Sequence, residues 1–413
     1  MWIPAAPAFA GASATASCMR RDRKNVFVLA ICQMLLGTGR SLLIATAPLI
    51  ALGIAEDKAL ATLPQSLVLV GTAIATLPAS FMMRRIGRRA GFIVGTLIGA
   101  AGGVIDIIAI LRGDFWLFAL GTLLFGVLSG FGQLYRFAAA DVAAPDYKAK
   151  AISLVLAGGV AAGFIGPELA KIGKDLIASV EFVGGYAILT TAILLSAVVL
   201  LFLDIPTMSK VERKDSGRPL REIMTQPVVI ASVTTALIAQ GVMNFLMTAT
   251  SIAMAHEHHL FADTATVIEW HLIGMFAPGF VTGHLLRRFG DLKVLVAGLV
   301  LELVCIGVAL SGVSVFDFWL SMMLLGIGWN FAYTASTSIV TSAYTPAERA
   351  KTEGTMNFLV YGIVSLLSLS SGAMIHYFGW MWVNLGALPL LAVALVSTTW
   401  YATRIRRVAA VAE

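Results

Sequence analysis

Residues 84–117 read RRIGRRAGFIVGTLIGAAGGVIDIIAILRGDFWL. A basic turn opens this stretch, and a run of apolar and small residues follows from Ala90 to Leu111, with Asp106 as its only ionisable side chain. A helix of that length spans the ~30 Å hydrocarbon core of a bilayer, because each residue adds ~1.5 Å. The stretch therefore predicts a transmembrane helix that begins at a positively charged membrane surface.

The composition of the whole chain agrees with this prediction. Of its 413 residues, 58% are hydrophobic and 13% are charged, whereas soluble domains have about 25% charged residues. The net charge is +6, but the basic residues lie between apolar runs, which argues against a nucleic-acid partner. The three cysteines, Cys18, Cys32 and Cys305, have no disulfide or metal-ligand spacing. We expect an integral membrane protein with no cofactor and no metal site.

Apolar windows of membrane-spanning length lie on both sides of a polar segment, six before it and six after it. Because lipid offers no hydrogen-bond partners to the backbone, each window is expected to be a helix. The fold class predicted is all-α, with 12 transmembrane helices in two bundles. The predicted units are a tail (1–24), a six-helix bundle (25–203), a central loop (204–226), a second bundle (227–403) and a tail (404–413). The windows begin near Asn25, Thr62, Ala90, Phe115, Ala149, Phe182, Pro227, Thr264, Lys293, Phe318, Thr355 and Met381.

The basic residues predict the orientation of these helices. Of the 29 Lys and Arg residues, only Lys58, Arg112, Lys171 and Lys174 fall between spans on the side away from the termini. Nearly all the others lie on the side of the termini, including five in the central loop. The positive-inside rule therefore places both termini in the cytoplasm.

The two halves of the chain resemble each other. Arg84-Arg85-Ile86-Gly87 recurs 203 residues later as Arg287-Arg288-Phe289-Gly290, and Asp114-Phe115-Trp116-Leu117 recurs at the same distance as Asp317-Phe318-Trp319-Leu320. Residues 145–150 have a weaker counterpart at residues 346–351. Several matches in the same chain order indicate an internal structural repeat, as in many transporters.

Six plus six helices, a basic central loop and a basic Gly-containing turn after helices two and eight resemble the major facilitator superfamily. The resemblance covers nearly the whole chain and implies two halves that rock about one central site. A closer resemblance lies in QGVMNFLMTAT at residues 240–250, followed by Trp270-His271 and by MFAP at residues 275–278. These residues are similar to a bacterial branch of the superfamily that includes riboflavin importers.

The superfamily's loop signature, Gly-x-x-x-Asp-Arg-x-Gly-Arg-Arg, is changed here. Ser80 and Arg84 replace its Gly and Asp, and the second copy has Arg287 at the Asp position. The resemblance implies a latch on the inner side, whereas the arginines alone are also explained as topology determinants. The gating candidates are Arg85, Arg88, Arg136, Asp141 and Arg288.

Arg40 is the most informative polar residue within a span. An ionisable group at the bilayer centre costs at least ~2.5 kcal/mol and normally faces protein or a water-filled cavity. Two interpretations of Arg40 remain open. It could bind the substrate or a counter-ion, or it could form a buried structural ion pair. The resemblance implies that helices one, four, seven and ten line the cavity, and polar residues there could bind substrate or hold helices together. The substrate-binding candidates are Arg40, Gln33, Gln133, Tyr135, Gln240, Asn244, Thr248, Trp329, Asn330, Tyr333 and Asn357.

Proton coupling would need a carboxylate or histidine whose proton affinity changes during the cycle. The candidates are Glu269, His271 and Glu302, and a structural role is the alternative for each. No Gly-x-x-x-x-Gly-Lys-Ser/Thr motif occurs, so we expect a gradient to drive transport instead of ATP.

These features predict a monomeric secondary transporter that works by alternating access, with riboflavin uptake as the first substrate hypothesis. A proton-coupled efflux antiporter for drugs or metabolites is the alternative within the same class. A membrane-embedded lipid-modifying enzyme is a more remote alternative, because it would require clustered acids and histidines at a membrane face. The substrate of a transporter would be riboflavin or another aromatic organic solute.

Overall fold

A computed structural model describes residues 9–143, 148–177, 180–205, 217–345 and 348–412. This part of the chain folds into α-helices joined by short turns, without a β-strand. The helices are α1 (Phe9–Ile54), α2 (Leu63–Ile86), α3 (Arg88–Arg112), α4 (Phe115–Gly132), α5 (Tyr135–Val142), α6 (Lys148–Lys174), α7 (Val183–Leu200), α8 (Leu220–Met224), α9 (Pro227–His256), α10 (Phe261–Phe276), α11 (Gly279–Phe289), α12 (Asp291–Ser311), α13 (Val315–Thr341), α14 (Arg349–Phe378) and α15 (Trp380–Ala412).

The helices match the predicted spans. Within the described residues, 10 helical segments are long and apolar enough to cross a membrane. Helix α6 and the consecutive pair α10 and α11 occupy the two remaining predicted windows, so the structure is consistent with twelve spans. Because successive spans alternate in direction, the first residues of α1 and the last of α15 lie at one end of the molecule, here called the terminal end.

Two spans are broken near their middle. Gln133 and Leu134 separate α4 from α5, and Ala277 and Pro278 separate α10 from α11. Pro278 lacks an N–H group, so it cannot continue the helical hydrogen bonds. Side chains satisfy the backbone groups at this second break, since Asn330 Nδ2 donates to the carbonyl of Met275 at 2.7 Å. A polar break of this kind is tolerated in lipid only where protein supplies such partners.

The repeat seen in the sequence is present in the backbone. Gly87 joins α2 to α3 with φ 89° and ψ 158°, and Gly290 joins α11 to α12 with φ 83° and ψ 153°. Only glycine adopts this backbone region readily, which explains why both copies keep it. Asp114 caps α4 by accepting from the Leu117 backbone N–H, and Asp317 completes a capping box with Ser314 at the start of α13.

The two halves pack together mainly through α2 against α14 and α6 against α10. Away from the terminal end, Thr62 Oγ1 donates to the Leu369 carbonyl at 3.2 Å, and Lys171 Nζ of α6 donates to Thr266 Oγ1 of α10 at 3.0 Å. Ile44 of α1 also packs within the hydrophobic core of the second bundle. These contacts close the far end of the interface between the halves.

Helices extend into the segments predicted as tails and as the central loop. Helix α1 begins at Phe9 and α15 continues to Ala412, so helix extends into the segments predicted as tails. In the central loop, Leu220–Met224 forms the short helix α8. The start of that loop is held to α1, because Asn25 exchanges hydrogen bonds with the backbone of Asp204 at 2.7 and 2.9 Å.

Candidate functional site

Two aromatic rings on α13 form the centre of the candidate site. Trp329 and Tyr333 lie one helical turn apart, and their rings stack with centroids 5.3 Å apart and planes inclined by 16°. Phe276, at the end of α10, meets the Trp329 ring edge-on at 6.5 Å. The spacing of four residues places both rings on one face of α13.

Gln240 of α9 fixes the orientation of the Trp329 ring. Trp329 Nε1 donates to Gln240 Oε1 at 2.7 Å, and Gln240 is buried whereas Trp329 is half-buried. A buried amide oxygen without a donor is costly, so this bond holds both side chains in place. It also ties α9 to α13 beside the aromatic pair.

Two arginines from the first bundle approach the same position. Arg40 of α1 and Arg136 of α5 both lie near enough to Tyr333 to interact electrostatically with its phenol, as does Tyr361 of α14. Side chains from both halves therefore lie within electrostatic range of Tyr333. Arg40 and Tyr333 are both substrate-binding candidates from the sequence, and their common role stays a prediction.

The position of Arg40 on α1 follows from its neighbours along the helix. Gly39 lies against Phe125 within the first bundle, whereas Ile44, one turn after Arg40, packs in the core of the second. Residues four apart share a helix face, so Arg40 faces the second half. Its side chain is half-buried and forms no hydrogen bond or ion pair with the part of the chain that the structure describes.

Tyr135 does not lie with these residues. Its ring is 1% exposed and packs in the core of the first bundle, with its centroid 4.7 Å from that of Phe92. Adjacent helical residues point about 100° apart, so Tyr135 and Arg136 cannot both face the interface. Tyr135, a substrate-binding candidate from the sequence, therefore packs in the core of the first bundle instead.

Three other candidates use their polar groups within the second bundle. Asn244 Nδ2 donates to the Gln240 carbonyl of its own helix at 2.9 Å. Thr248 Oγ1 lies 3.3 Å from Ser368 Oγ of α14. Asn330 bonds both the Met275 carbonyl and the Thr282 hydroxyl at the α10–α11 break. All three are buried; the Thr248 and Asn330 bonds join different helices, whereas the Asn244 bond stays within α9.

The remaining three candidates, Gln33, Gln133 and Asn357, are half-buried. Gln33 is on α1 beside Gly158 of α6, Gln133 ends α4, and Asn357 is on α14 in the turn before Tyr361. Like the Arg40 guanidinium, their amides form no hydrogen bond with another described residue.

Comparison with known proteins assigns this architecture. A family model described as the Major Facilitator Superfamily matches residues 29–268 and 235–412. The chain belongs to the major facilitator superfamily. It is a multi-pass membrane transporter and not an enzyme.

Relatives within the superfamily cover almost the whole transporter. It is 40% identical over 376 residues to riboflavin transporter RfnT of Brucella anthropi, a match that covers 91% of this chain and 94% of that protein. It is 26% identical to the uncharacterized MFS-type transporter YddS of Bacillus subtilis, covering 93% and 92%. The crystal structure of the human organic anion transporter MFSD10 shares the fold with a TM-score of 0.66 at 14% identity, covering 91% of this chain and 99% of that one.

The superfamily loop of this transporter lies exposed at the terminal end. Arg85 and Arg288 are exposed, and the Arg288 guanidinium lies 5.3 Å from the ring centroid of its neighbour Phe289. Neither forms a salt bridge with a described carboxylate. Arg88 is half-buried, and the side chain of the fifth gating candidate, Asp141, lies outside the described part.

The proton-coupling candidates occupy three different surroundings in the transporter. Glu269 lies between the halves, with Oε2 3.8 Å from Lys171 Nζ. His271 is fully buried and its Nδ1 bonds the Met322 carbonyl at 2.8 Å. Glu302 is fully buried where α12 crosses α13, and neither carboxylate oxygen has a hydrogen-bond partner among the described atoms. Only Glu269 contacts the other half.

Two polar clusters were not predicted from the sequence. Lys171 bonds Glu168 of its own helix at 2.6 Å and approaches Glu269 across the interface. Arg218, in the central loop, forms a two-pronged ion pair with Glu348 at 2.8 Å. The charged residues are visible in the sequence, but their partners are not. Lys171 and its partners on α10, and Arg218 and Glu348, lie about 100 or more positions apart along the chain.

Proposed function

We propose that this transporter imports riboflavin by alternating access. The observation that carries the proposal is the 40% identity to riboflavin transporter RfnT over 91% of the chain. The geometry adds support, because aromatic rings, an amide and a guanidinium converge between the two halves. The efflux alternative has no comparable support.

The chemistry of flavins suits these side chains. The planar isoalloxazine ring would stack on the Trp329 and Tyr333 pair, since aromatic pairs gain ~0.5–1.5 kcal/mol beyond area burial. Arg40 would donate to the carbonyl oxygens of the ring. Gln33 and Asn357 would form hydrogen bonds with the ribityl hydroxyls, because the Asn244 and Asn330 side chains are already bonded within the second bundle.

We place the terminal end in the cytoplasm, since the basic residues of the inter-span segments concentrate there. The far end, which contacts between the halves close, would then face outward. In our proposal the protein acts as a monomer in a bacterial inner membrane. The gating residues would exchange their interaction partners as the halves rock; they are Arg85, Arg88, Arg136, Asp141 and Arg288. Glu269 is the first candidate for coupling to protons, because it alone of the two acids and one histidine lies between the halves.

Uptake of labelled riboflavin by a bacterial riboflavin auxotroph tests this function. Cells that express the wild type should grow on limiting riboflavin and accumulate label. Arg40→Ala should lower uptake about tenfold at equal membrane abundance, the value of one charge-assisted hydrogen bond. Arg112→Ala, at an exposed position at the far end of α3, should match the wild type. Expression that lowers cellular flavin and raises drug resistance would contradict import.

A further inference from the structure

An aromatic contact joins the two halves at the far end of the molecule. Phe182 directly precedes α7 in the first half, and Phe261 begins α10 in the second. Their ring centroids lie 5.1 Å apart with the planes inclined by 79°, the edge-to-face geometry that aromatic rings prefer. Phe261 thereby packs against the hydrophobic core of the first bundle. Ile44 makes the reverse contact, since it packs in the core of the second bundle.

A lysine at the end of α6 lies beside both rings. Lys174 Nζ is 5.9 Å from the ring centroid of Phe182 and 5.7 Å from that of Phe261, within the range of a cation–π interaction. Its carboxylate partner Glu181, 3.5 Å away, also belongs to the first half. When the halves separate, Lys174 therefore keeps Phe182 and Glu181 and loses Phe261.

The same face of α6 makes a second contact with α10. Lys171 lies one helical turn before Lys174. It donates to Thr266 Oγ1 at 3.0 Å and lies 3.8 Å from Glu269 Oε2. Both lysines are at the end of the molecule that has few basic residues, so the topology of the chain does not explain them. Their contacts with α10 do.

The backbone of Phe182 is strained. Its φ is 68° and its ψ is −13°, a left-handed conformation that is uncommon for a bulky residue. The Phe182 backbone N–H donates to the Lys174 carbonyl at 2.9 Å, which holds the residue over the end of α6. Strained residues of this kind persist only where the surrounding structure holds them, and they are concentrated at functional and switch regions.

The first-half side of this contact is rigid. Gly173 of α6 lies so close to the backbone of Gly185 in α7 that a Cβ atom on Gly173 would overlap with it. Because no side chain separates the two helices there, Lys174 and Phe182 keep their positions relative to each other. The distance between the Phe182 and Phe261 rings therefore depends on the position of the second half.

We propose that Lys174, Phe182 and Phe261 form a lock that holds the far end closed and opens in each transport cycle. The proposal rests on alternating access. In the closed state the two rings and the cation stabilise the contact between the halves, and these interactions are lost when Phe261 moves away with α10. Weakening the lock shifts the population toward molecules that are open at the far end. The lock acts whichever solute the protein carries.

Cysteine labelling of the purified full-length protein tests the lock. The reporter is Ile44→Cys in protein without its native cysteines, because this position becomes accessible when the far end opens. Without riboflavin, Phe261→Leu should raise the labelling rate about two- to tenfold, the factor expected from one aromatic pair. Lys174→Gln should raise it about threefold through the lost cation–π interaction. Phe261→Tyr, which keeps the ring, should match the parent protein.

Two matched variants at the same end serve as controls. Phe316→Leu removes an exposed ring that stacks on Trp319 of its own helix. Lys58→Gln removes a lysine whose Nζ donates to the Ala55 carbonyl within the first half at 2.7 Å. Neither residue takes part in the lock, so both variants should be labelled at the parent rate.

Unchanged labelling in Phe261→Leu would overturn the lock, and so would an equal acceleration in Phe316→Leu. Leu43→Cys, in the core of the first bundle, should stay unreactive in every background, which separates opening of the far end from unfolding. A wrong riboflavin hypothesis gives a different result. The acceleration by Phe261→Leu would then persist, while riboflavin would change no labelling rate.

Discussion

At the scale of single residues, the central site depends on which polar side chains are already bonded. The sequence places Gln240, Asn244 and Thr248 at a spacing of four on one face of α9. It could not show that Asn244 donates to its own helix or that Thr248 pairs with α14. Those partners are set by the backbone and by packing. The spacing of polar residues alone therefore overestimates how many side chains are available to bind a substrate.

The Trp329–Gln240 hydrogen bond gives a prediction at this scale. Trp329→Phe keeps an aromatic ring but removes the donor to Gln240, so the protein should lose ~1–3 kcal/mol of stability through the unpaired buried amide. In the Trp329→Phe background, the further change Gln240→Met should cost less than it does in the wild type. Thermal unfolding of the four proteins measures this coupling. Additive losses would show that the bond does not hold the pair.

At the scale of elements, hydropathy predicted the spans well because lipid forces every backbone group into a helix. The predicted starts of the α3, α4, α6 and α9 windows lie within about two residues of the observed ones, in keeping with ordinary uncertainty at helix ends. The breaks after α4 and α10 were not predicted. The α10 break is stable within a membrane because tertiary partners such as Asn330 bond the backbone groups that it leaves without a helical partner. The extension of α1 back to Phe9 was likewise missed.

Close packing of α6 on α1 predicts the effect of one glycine substitution. A methyl group on Gly166 would lie 2.8 Å from the Thr38 carbonyl oxygen of α1. Gly166→Ala should therefore destabilise the protein by ~1–3 kcal/mol through overpacking. Gly307→Ala on α12, where no atom lies within 4 Å of the added methyl, should be neutral or slightly stabilising. Thermal unfolding compares the two, and equal unfolding temperatures would contradict the α1–α6 contact.

The Arg218–Glu348 ion pair connects the central loop to α14 and predicts a dependence on pH. Hydrogen bonds from Arg218 and from the Thr345 backbone hold the pKa of Glu348 well below its usual range. A lowered folded pKa stabilises the protein above the unfolded pKa of glutamate, ~4.3, and this stability is lost as pH falls through the folded pKa. The wild type should unfold at a higher temperature than Glu348→Gln at pH 7, and the difference should shrink below pH ~4. A difference that is constant with pH would contradict the pair.

At the scale of the whole molecule, the repeat in the sequence predicted two halves, and Gly87 and Gly290 confirm the correspondence in their backbone angles. The contacts between the halves could not be predicted, because they join side chains of unrelated spacing such as Thr62 and Leu369. Electrostatic proximity of Arg40 to Tyr333 likewise depends on how the bundles meet. Alternating access requires that the contacts between the two halves break and re-form.

Alternating access predicts that the closed far end opens during transport. Ile44 is 5% exposed and packs in the core of the second bundle. In protein without its native cysteines, Ile44→Cys should react with a thiol reagent only when the halves separate, so riboflavin should change its rate of labelling. Leu43→Cys, buried within the first bundle, should stay unreactive with and without substrate. Equal labelling of both positions would contradict rocking of rigid halves.

We propose that the stacked pair on α13 binds a flavin between the two halves. Riboflavin fluorescence, which falls when the ring stacks on an aromatic side chain, measures its affinity for the purified protein directly. We predict saturable quenching by the wild type and by Arg112→Ala, and about tenfold weaker binding by Trp329→Ala, since base-like rings gain ~1–3 kcal/mol from such stacking. Undiminished affinity in folded Trp329→Ala and Tyr333→Ala proteins would contradict flavin binding at this pair.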